Sequence, residues 1–505
     1  MNHQELLASL QGRGLFAWQA TFIASFLETD STPFHLLTAP PGTGKTYASV
    51  AIAAELVARR AKRMLALPPA SLCEEWSERL RDAQSEIPVL LVTRQVFREM
   101  EAALPIGQSP WNAENIYVIS QDLAKQSDLA KGLSAAEWDL VIVDEAHRFA
   151  APQRAALLNK LISSDLVRRL LLLSATPLPA LEPWLRPSPD QQVQFRAPLV
   201  VTNWYGELKN WDGSTVERPR VELSVFSYTR NADEVRCLLR FLGSKKDLET
   251  ASDGNQFLIQ LLTQRASSSL FAFEQSLQRL GHTLRSAIEG DSVLPAKAST
   301  VLPEMSSTSE EVGSTVEERR CEWIDKPAGL AIVDQCLSEL EMISTDEKLN
   351  ALRRLIRLIV DAECNGNPKI CVISMYADTV LYLHTAIDDC GLPLFKMTGA
   401  SSYTERQDTV ELFLHEGGLI LSTDGALKGI KMPQVPHVVY YDLPSNPLAL
   451  EYRQGRFNRF GRNSPLTMYA FRDESGVLPL ESQLIDKSTG IGETGIDGMS
   501  STTEP

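Results

Sequence analysis

The sequence predicts an α/β protein built from two parallel-sheet units with a mostly helical segment between them. Three observations lead there. From residue 34 to about 180, six short apolar runs alternate with stretches of helical spacing. From 369 onward a shorter series of the same kind follows. The first apolar run alone feeds a glycine-rich loop and a helix. Short strands separated by helices favour a parallel sheet covered on both faces.

The order of elements follows from the runs. Residues 1–30 hold Leu15-Phe16-Ala17-Trp18-Gln19-Ala20, followed by a helical pattern through Phe26. The six strands of the first unit are FHLLTA, RMLALPP, PVLLV, IYVIS, LVIVDEAH and RLLLLSATP. The pattern weakens between 181 and 225, with proline and tryptophan as punctuation, although residues 219–229 alternate like a strand. Residues 231–289 read as helices, and 290–320 are rich in Ser, Thr, Glu and Pro, the composition of a loop or disordered insert. A helix near 346–362 opens the second series, whose strands are KICVISMY, LPLFKMTG, GLILSTD, HVVYYDLP and LTMYAF. The expected division is therefore 1–225, a first lobe; 226–345, a helical insertion and acidic linker; 346–475, a second lobe; and 476–505, a disordered tail.

The chemistry starts at the first loop. Gly42 and Gly44 permit backbone angles that turn several N–H groups onto one anion, and the following helix adds the positive end of its dipole. Pro41, Gly42, Thr43, Gly44, Lys45 and Thr46 are expected to cradle a nucleotide. Lys45 would reach the β- and γ-phosphates and the Thr46 hydroxyl a Mg2+ ion. The competing reading is a chance glycine-rich turn. Asp144 and Glu145 end a buried strand 98 residues after Thr46. Asp144 is suited to hold Mg2+ and Glu145 to polarise an attacking water. Ser174 and Thr176 sit at another strand end, where hydroxyls could couple the nucleotide to something else; an ordinary strand-end turn is the alternative. Arg456 and Arg459 are three apart on a helix and share a face. Two forked guanidiniums suit a transferring phosphoryl group, against the alternative of a solvated basic helix. The second series has no phosphate loop of its own, so these arginines are expected to serve the ATP of the first lobe.

The bulk numbers bound the class. The chain has 505 residues, 44% hydrophobic and 22% charged, too long for a single core and ordinary for a globular protein. No 18-residue apolar stretch appears, so no transmembrane helix and no membrane partner are expected. Seven scattered cysteines without a CxxC pair read as buried thiols in a reducing cytoplasm. The net charge of −15 argues against a generally basic surface. Residues 289–345 hold twelve acidic and four basic side chains, however, so over half the excess lies in one segment. Local basic tracks are what a phosphate backbone feels. That segment is either a solvated linker or a cover that restrains the enzyme.

Taken in order, these motifs resemble those of helicase superfamily two, and within it the Swi/Snf-type ATPases. Gln19 is similar to the adenine-reading glutamine, APPGTGKT to motif I, ALPPASLCEEW to motif Ia and VISQDL to motif Ib. DEAH and SATP resemble motifs II and III, with His147 joining Ser174 and Thr176 as coupling residues. KICVISMYADT, MTGASSYTERQDTVELF, LILSTDGALKGIKM and EYRQGRFNRFGR resemble motif IV, the element after it, and motifs V and VI. LLTQRASSSLFAFEQSL is similar to a helical element of the bacterial RapA/HepA-like group. The resemblance implies two RecA-like lobes using ATP and Mg2+, with Gly429 also at the nucleotide. It implies nucleic-acid contacts near Ser71, Ser120, Gln121, Ser374, Thr398 and Thr423, with Lys428 and Lys431 either on phosphates or simply solvated. Two positions depart from the pattern: Lys431 replaces an asparagine of motif V, and Tyr452 a glutamine of motif VI. The expected activity is an ATPase moving along duplex DNA, with a protein partner of unknown identity. A strand-separating helicase on DNA or RNA, and an ATP-driven switch that recruits other proteins, are the alternatives.

Overall fold

The computed structural model describes residues 3–28, 34–105, 108–150, 152–163, 166–176, 199–203, 210–214, 221–248, 253–289, 326–363, 367–387, 390–444, 447–458, 462, 464–478, 485 and 499–502. The chain divides into two compact units, Met1–Arg218 and Pro219–Pro505.

In the first unit, helices α1 (His3–Gly12) and α2 (Ala17–Glu28) precede strand β1 (Phe34–Thr38) and helix α3 (Lys45–Ala58). Then come β2 (Met64–Leu67), α4 (Cys73–Ala83), β3 (Val89–Val92), α5 (Arg94–Ala102) and β4 (Ile116–Ile119). Two short helices, α6 (Gln121–Ala124) and α7 (Ser127–Ala135), lead to β5 (Leu140–Val143), α8 (Pro152–Ser163) and β6 (Leu170–Ser174). All six expected strands form, and β7 (Leu199–Asn203) is added where the pattern weakens. The order is β3-β4-β2-β5-β6-β1-β7, with every pairing parallel. The central strands β1, β2, β4, β5 and β6 are buried along their whole length, which is why they read as unbroken apolar runs. Their carboxyl ends line one edge, where loops can meet a ligand.

The second unit begins with β8 (Val221–Tyr228) and three helices, α9 (Ala232–Leu248), α10 (Asp253–Ser268) and α11 (Leu270–Glu289). After them lie α12 (Lys326–Glu341), α13 (Glu347–Ala362), β9 (Lys369–Ser374), α14 (Ala377–Ala386), β10 (Leu394–Met397), α15 (Tyr403–Glu416) and β11 (Gly418–Thr423). The series ends with β12 (His437–Tyr440), α16 (Pro447–Phe457), β13 (Leu466–Asp473) and β14 (Met499–Thr502). Its sheet is also parallel throughout, in the order β10-β11-β9-β12-β13-β8-β14.

Three sequence expectations change here. The strand at 219–229 does not close the first lobe. It pairs with β13 along all eight residues, and the division falls at 218 rather than 225. Alternation reveals a half-buried strand but not which sheet receives it. The segment 289–345 is not all linker: α12 packs into a helical cluster with Cys237, Phe241, Phe273 and Leu277, whereas 290–325 lies outside the described residues. The tail after 476 is partly built in: Leu478 and Ile485 are buried, and 499–502 adds the strand beside β8.

Candidate active site

The loop between β1 and α3 takes the shape its glycines allow. Gly42 has φ 78° and Gly44 φ 89°, in the left-handed region. Gln19, buried on α2, braces the loop: its Nε2 donates to the Thr43 and Gly44 carbonyls at 3.3 Å each, and its Oε1 accepts from Phe16 N at 3.0 Å. A Cβ on Gly44 would stand 2.4 Å from Gln19 Nε2. The residue expected to read adenine thus holds the loop in this structure. Thr43 Oγ1 donates to Pro40 O, and Lys45 Nζ donates to Ala39 O at 2.7 Å and Pro40 O at 3.1 Å. The ammonium therefore rests over the cradle rather than out in solvent. Thr46, half-buried, follows it in the first turn of α3, and Pro41 flanks the loop.

The strand-end carboxylates are placed with equal care. Asp144 Oδ2 accepts from Trp76 Nε1 at 3.0 Å, and Oδ1 accepts from Glu145 N at 2.9 Å. Burial, and then the neighbouring Glu145 charge, push the Asp144 carboxyl well above the usual carboxylate range, against the indole bond and the Lys45 charge. A buried carboxylate that resists ionisation, beside a lysine, suits a site completed by a cation. Glu145 has φ 45°, a left-handed backbone that a non-glycine residue adopts at a cost of about 1–3 kcal/mol. His147 Nδ1 lies 3.5 Å from Glu145 Oε2 and 3.3 Å from Ser174 Oγ. Burial favours the neutral His147 imidazole and pushes it down from its ordinary value, against the opposing pull of Glu145 toward the charged ring. Ser174 Oγ also accepts from Thr176 N, and Ser174 O accepts from Ala39 N at 3.2 Å. His147, Ser174 and Thr176 thus connect β5, β6 and the loop that follows β1.

The second unit gathers a different set at adjoining strand ends. Arg456 Nη1 donates to Asp424 Oδ1 at 2.8 Å and to Asp424 O at 3.1 Å, and Arg453 Nε lies 3.1 Å from the same Oδ1. Burial opposes ionisation of Asp424, but Arg453, Arg456 and Lys428 outweigh it and hold the carboxyl far below the usual range. Arg456 is thus a paired side chain here, not a solvated one. Arg459 lies outside the described residues. Gly429, at φ 80°, closes the turn after β11, which Arg406 pins through the Ala426 and Lys428 carbonyls at 2.9 and 3.4 Å.

Several residues expected to touch nucleic acid are instead internal. Gln121 is wholly buried, and its Nε2 donates to Leu67 O at 3.1 Å and Asp144 O at 2.5 Å. It ties β2 to the Asp144 turn, and its side chain is shut off from any strand outside. Ser374, also buried, donates to Asp442 Oδ2 at 2.5 Å and accepts from Tyr376 N. Ser120 caps α6 through Leu123 N, and Thr423 accepts from Ala426 N in a turn. The Ser71 hydroxyl oxygen is buried. Thr398 and Lys428 are half-buried and Lys431 is exposed. A polar residue at a strand end reads as a ligand contact until burial shows that it holds the strand ends together. Trp76, Asp424 and Arg453 join these sites only in the folded chain, although each lies in a motif-bearing stretch of the sequence.

Comparison with known proteins follows the same division. The family described as "Type III restriction enzyme, res subunit" matches residues 13–178, and "Helicase conserved C-terminal domain" matches 347–461. The uncharacterized ATP-dependent helicase YqhH of Bacillus subtilis (strain 168) is 23% identical over 436 residues, covering 85% of this chain and 70% of its own length. The RNA polymerase-associated proteins RapA of Serratia proteamaculans (strain 568) and Pseudomonas putida (strain W619) are each 25% identical, over 85% and 88% of this chain. The chain spans only 45% and 46% of those RapA proteins. Among solved structures, the Pyrococcus furiosus Hef helicase domain is similar with a TM-score of 0.52 at 16% identity, over 94% of this chain and 98% of its own. S. cerevisiae Dbp5 bound to RNA and ADP BeF3 is similar with a TM-score of 0.51 at 12% identity, over 99% and 93%. These neighbours show the fold, tandem RecA-like domains. Both halves of the helicase core are matched in order, and with the YqhH and RapA relatives they support a Swi/Snf-type helicase of superfamily two, an enzyme that hydrolyses ATP.

Proposed function

We propose that the protein couples ATP hydrolysis to movement along duplex DNA. The observation that carries the reading is the braced loop of Gly42–Lys45 set against the Asp144–Glu145 turn, in a chain similar to RapA over more than four-fifths of its length. Lys45 leaves the Ala39 and Pro40 carbonyls for the β- and γ-phosphates. Thr46 and the buried Asp144 are the residues that would hold a hard divalent cation. Mg2+ would supply charge neutralisation at the phosphates. Glu145 orients and deprotonates the attacking water, and His147 passes its state to Ser174. Arg456 and Arg459 stabilise charge on the transferring phosphoryl group. Nucleic-acid contact then falls to the turn around Thr398 and to Lys428 and Lys431 rather than to Gln121 or Ser374.

The test is the rate of phosphate release with no nucleic acid, single-stranded DNA, duplex DNA and RNA. Duplex DNA is expected to stimulate most. Equal rates in all four would overturn the coupling and favour a switch subunit, and preference for single strands would favour a strand-separating helicase.

A further inference from the structure

We propose that Ser268, the last residue of α10, is a positioning residue for Arg456, so that the helices α9–α12 set the geometry of the hydrolytic arginine. The inference rests on the role of Arg456 proposed above. The path is short and buried. Ser268 Oγ donates to Asp442 Oδ2 at 2.6 Å, beside the Ser374 hydroxyl at 2.5 Å, while Met375 N donates to Asp442 Oδ1 at 2.7 Å. Asp442 is thereby fixed just past β12. Its carbonyl accepts from Arg453 Nη1 at 3.2 Å, and Arg453 Nε lies 3.1 Å from Asp424 Oδ1, the same oxygen that receives Arg456 Nη1 at 2.8 Å. Arg453 and Arg456 are three apart on α16 and therefore share a face. Ser268, Ser374, Asp442 and Arg453 are all buried.

The end of α10 is itself anchored as a rigid piece. Arg265 pairs with Asp378, which also takes a two-pronged contact from Arg279 at 2.9 Å. Lys348 Nζ donates to Ser267 O at 2.7 Å, and the Ser268 and Ser269 hydroxyls each meet Thr379 Oγ1 at 2.9 Å. A packed helix end of this kind transmits a displacement instead of absorbing it. Anything that shifts these helices shifts Asp442, then Arg453 and the Asp424–Arg456 pair.

Single-turnover ATP hydrolysis and nucleotide affinity in four variants test the proposal. Ser268→Ala is expected to slow hydrolysis about tenfold, the worth of one hydrogen bond to a charged group, with ATP affinity unchanged. Arg456→Lys is expected to slow it further, and adding Ser268→Ala to it to cost nothing more, because both act through one group. Ser269→Ala removes a neighbouring buried hydroxyl that bonds Thr379 and Ala272 N but not Asp442; it controls for general loosening and keeps the rate. A wild-type rate in Ser268→Ala, a multiplicative loss in the double variant, or an equal loss in Ser269→Ala would each overturn the proposal. A wild-type rate in Arg456→Lys would instead overturn the arginine role on which it rests.

Discussion

Trp76→Phe isolates one hydrogen bond at the centre of the proposed cation site. Trp76 is buried on α4 and packs through its ring, while its Nε1 reaches Asp144 Oδ2 at 3.0 Å. Phenylalanine keeps most of the apolar body and loses the donor. Oδ1 retains the Glu145 amide, so the carboxylate stays attached by one side and is free to turn about it. A hydrogen bond to a charged group is worth about 1.5–3 kcal/mol net, or roughly 10–100-fold at about 1.4 kcal/mol per decade. Partners that orient a metal-binding carboxylate cost about the same 10–100-fold in metal affinity or activity when removed. The loss should therefore appear as a higher Mg2+ requirement and a lower turnover, with nucleotide affinity in the absence of Mg2+ unchanged. The assay is phosphate release across a Mg2+ titration. Wild-type turnover with a wild-type Mg2+ midpoint would refute the claim that the indole holds Asp144 for a cation.

Two further outcomes follow from the same site. Gly44→Ala forces an L-residue to φ 89° and drives its Cβ against Gln19 Nε2, so the Gln19 amide must leave its place on the loop; ATP affinity should fall and melting should drop by the equivalent of about 1–2 kcal/mol, and an unchanged nucleotide titration would contradict the braced loop. Glu145→Gln keeps the shape of the turn and removes the base, so ATP binding should persist while turnover falls about 10²–10⁴-fold in a single-turnover assay.

The strands were legible because a parallel sheet buries them on both faces, leaving runs such as LLLLS and LVIV that no surface element would carry. The phosphate loop was legible because its geometry demands glycine at Gly42 and Gly44. What stayed hidden depended on tertiary destination. The alternation of β8 gives its burial but not its partner, and that partner proves to be β13. Gln121 and Ser374 look like outward-facing polar residues until the folded chain turns them onto Asp144 O and Asp442. Arg453 and Arg456 share a helix face and a motif, yet only the fold reveals that one carboxylate, Asp424, receives both. Spacing places Arg453 and Arg456 on one helix face, and it does not reveal the acidic residue that holds them.

The central claim is that the loop at Lys45 carries the ATP that is hydrolysed, and phosphate release by the wild type beside Lys45→Ala tests it most directly. With ATP, Mg2+ and duplex DNA, the wild type should release phosphate and Lys45→Ala should bind ATP weakly and release almost none. Equal rates in the two proteins would contradict the account.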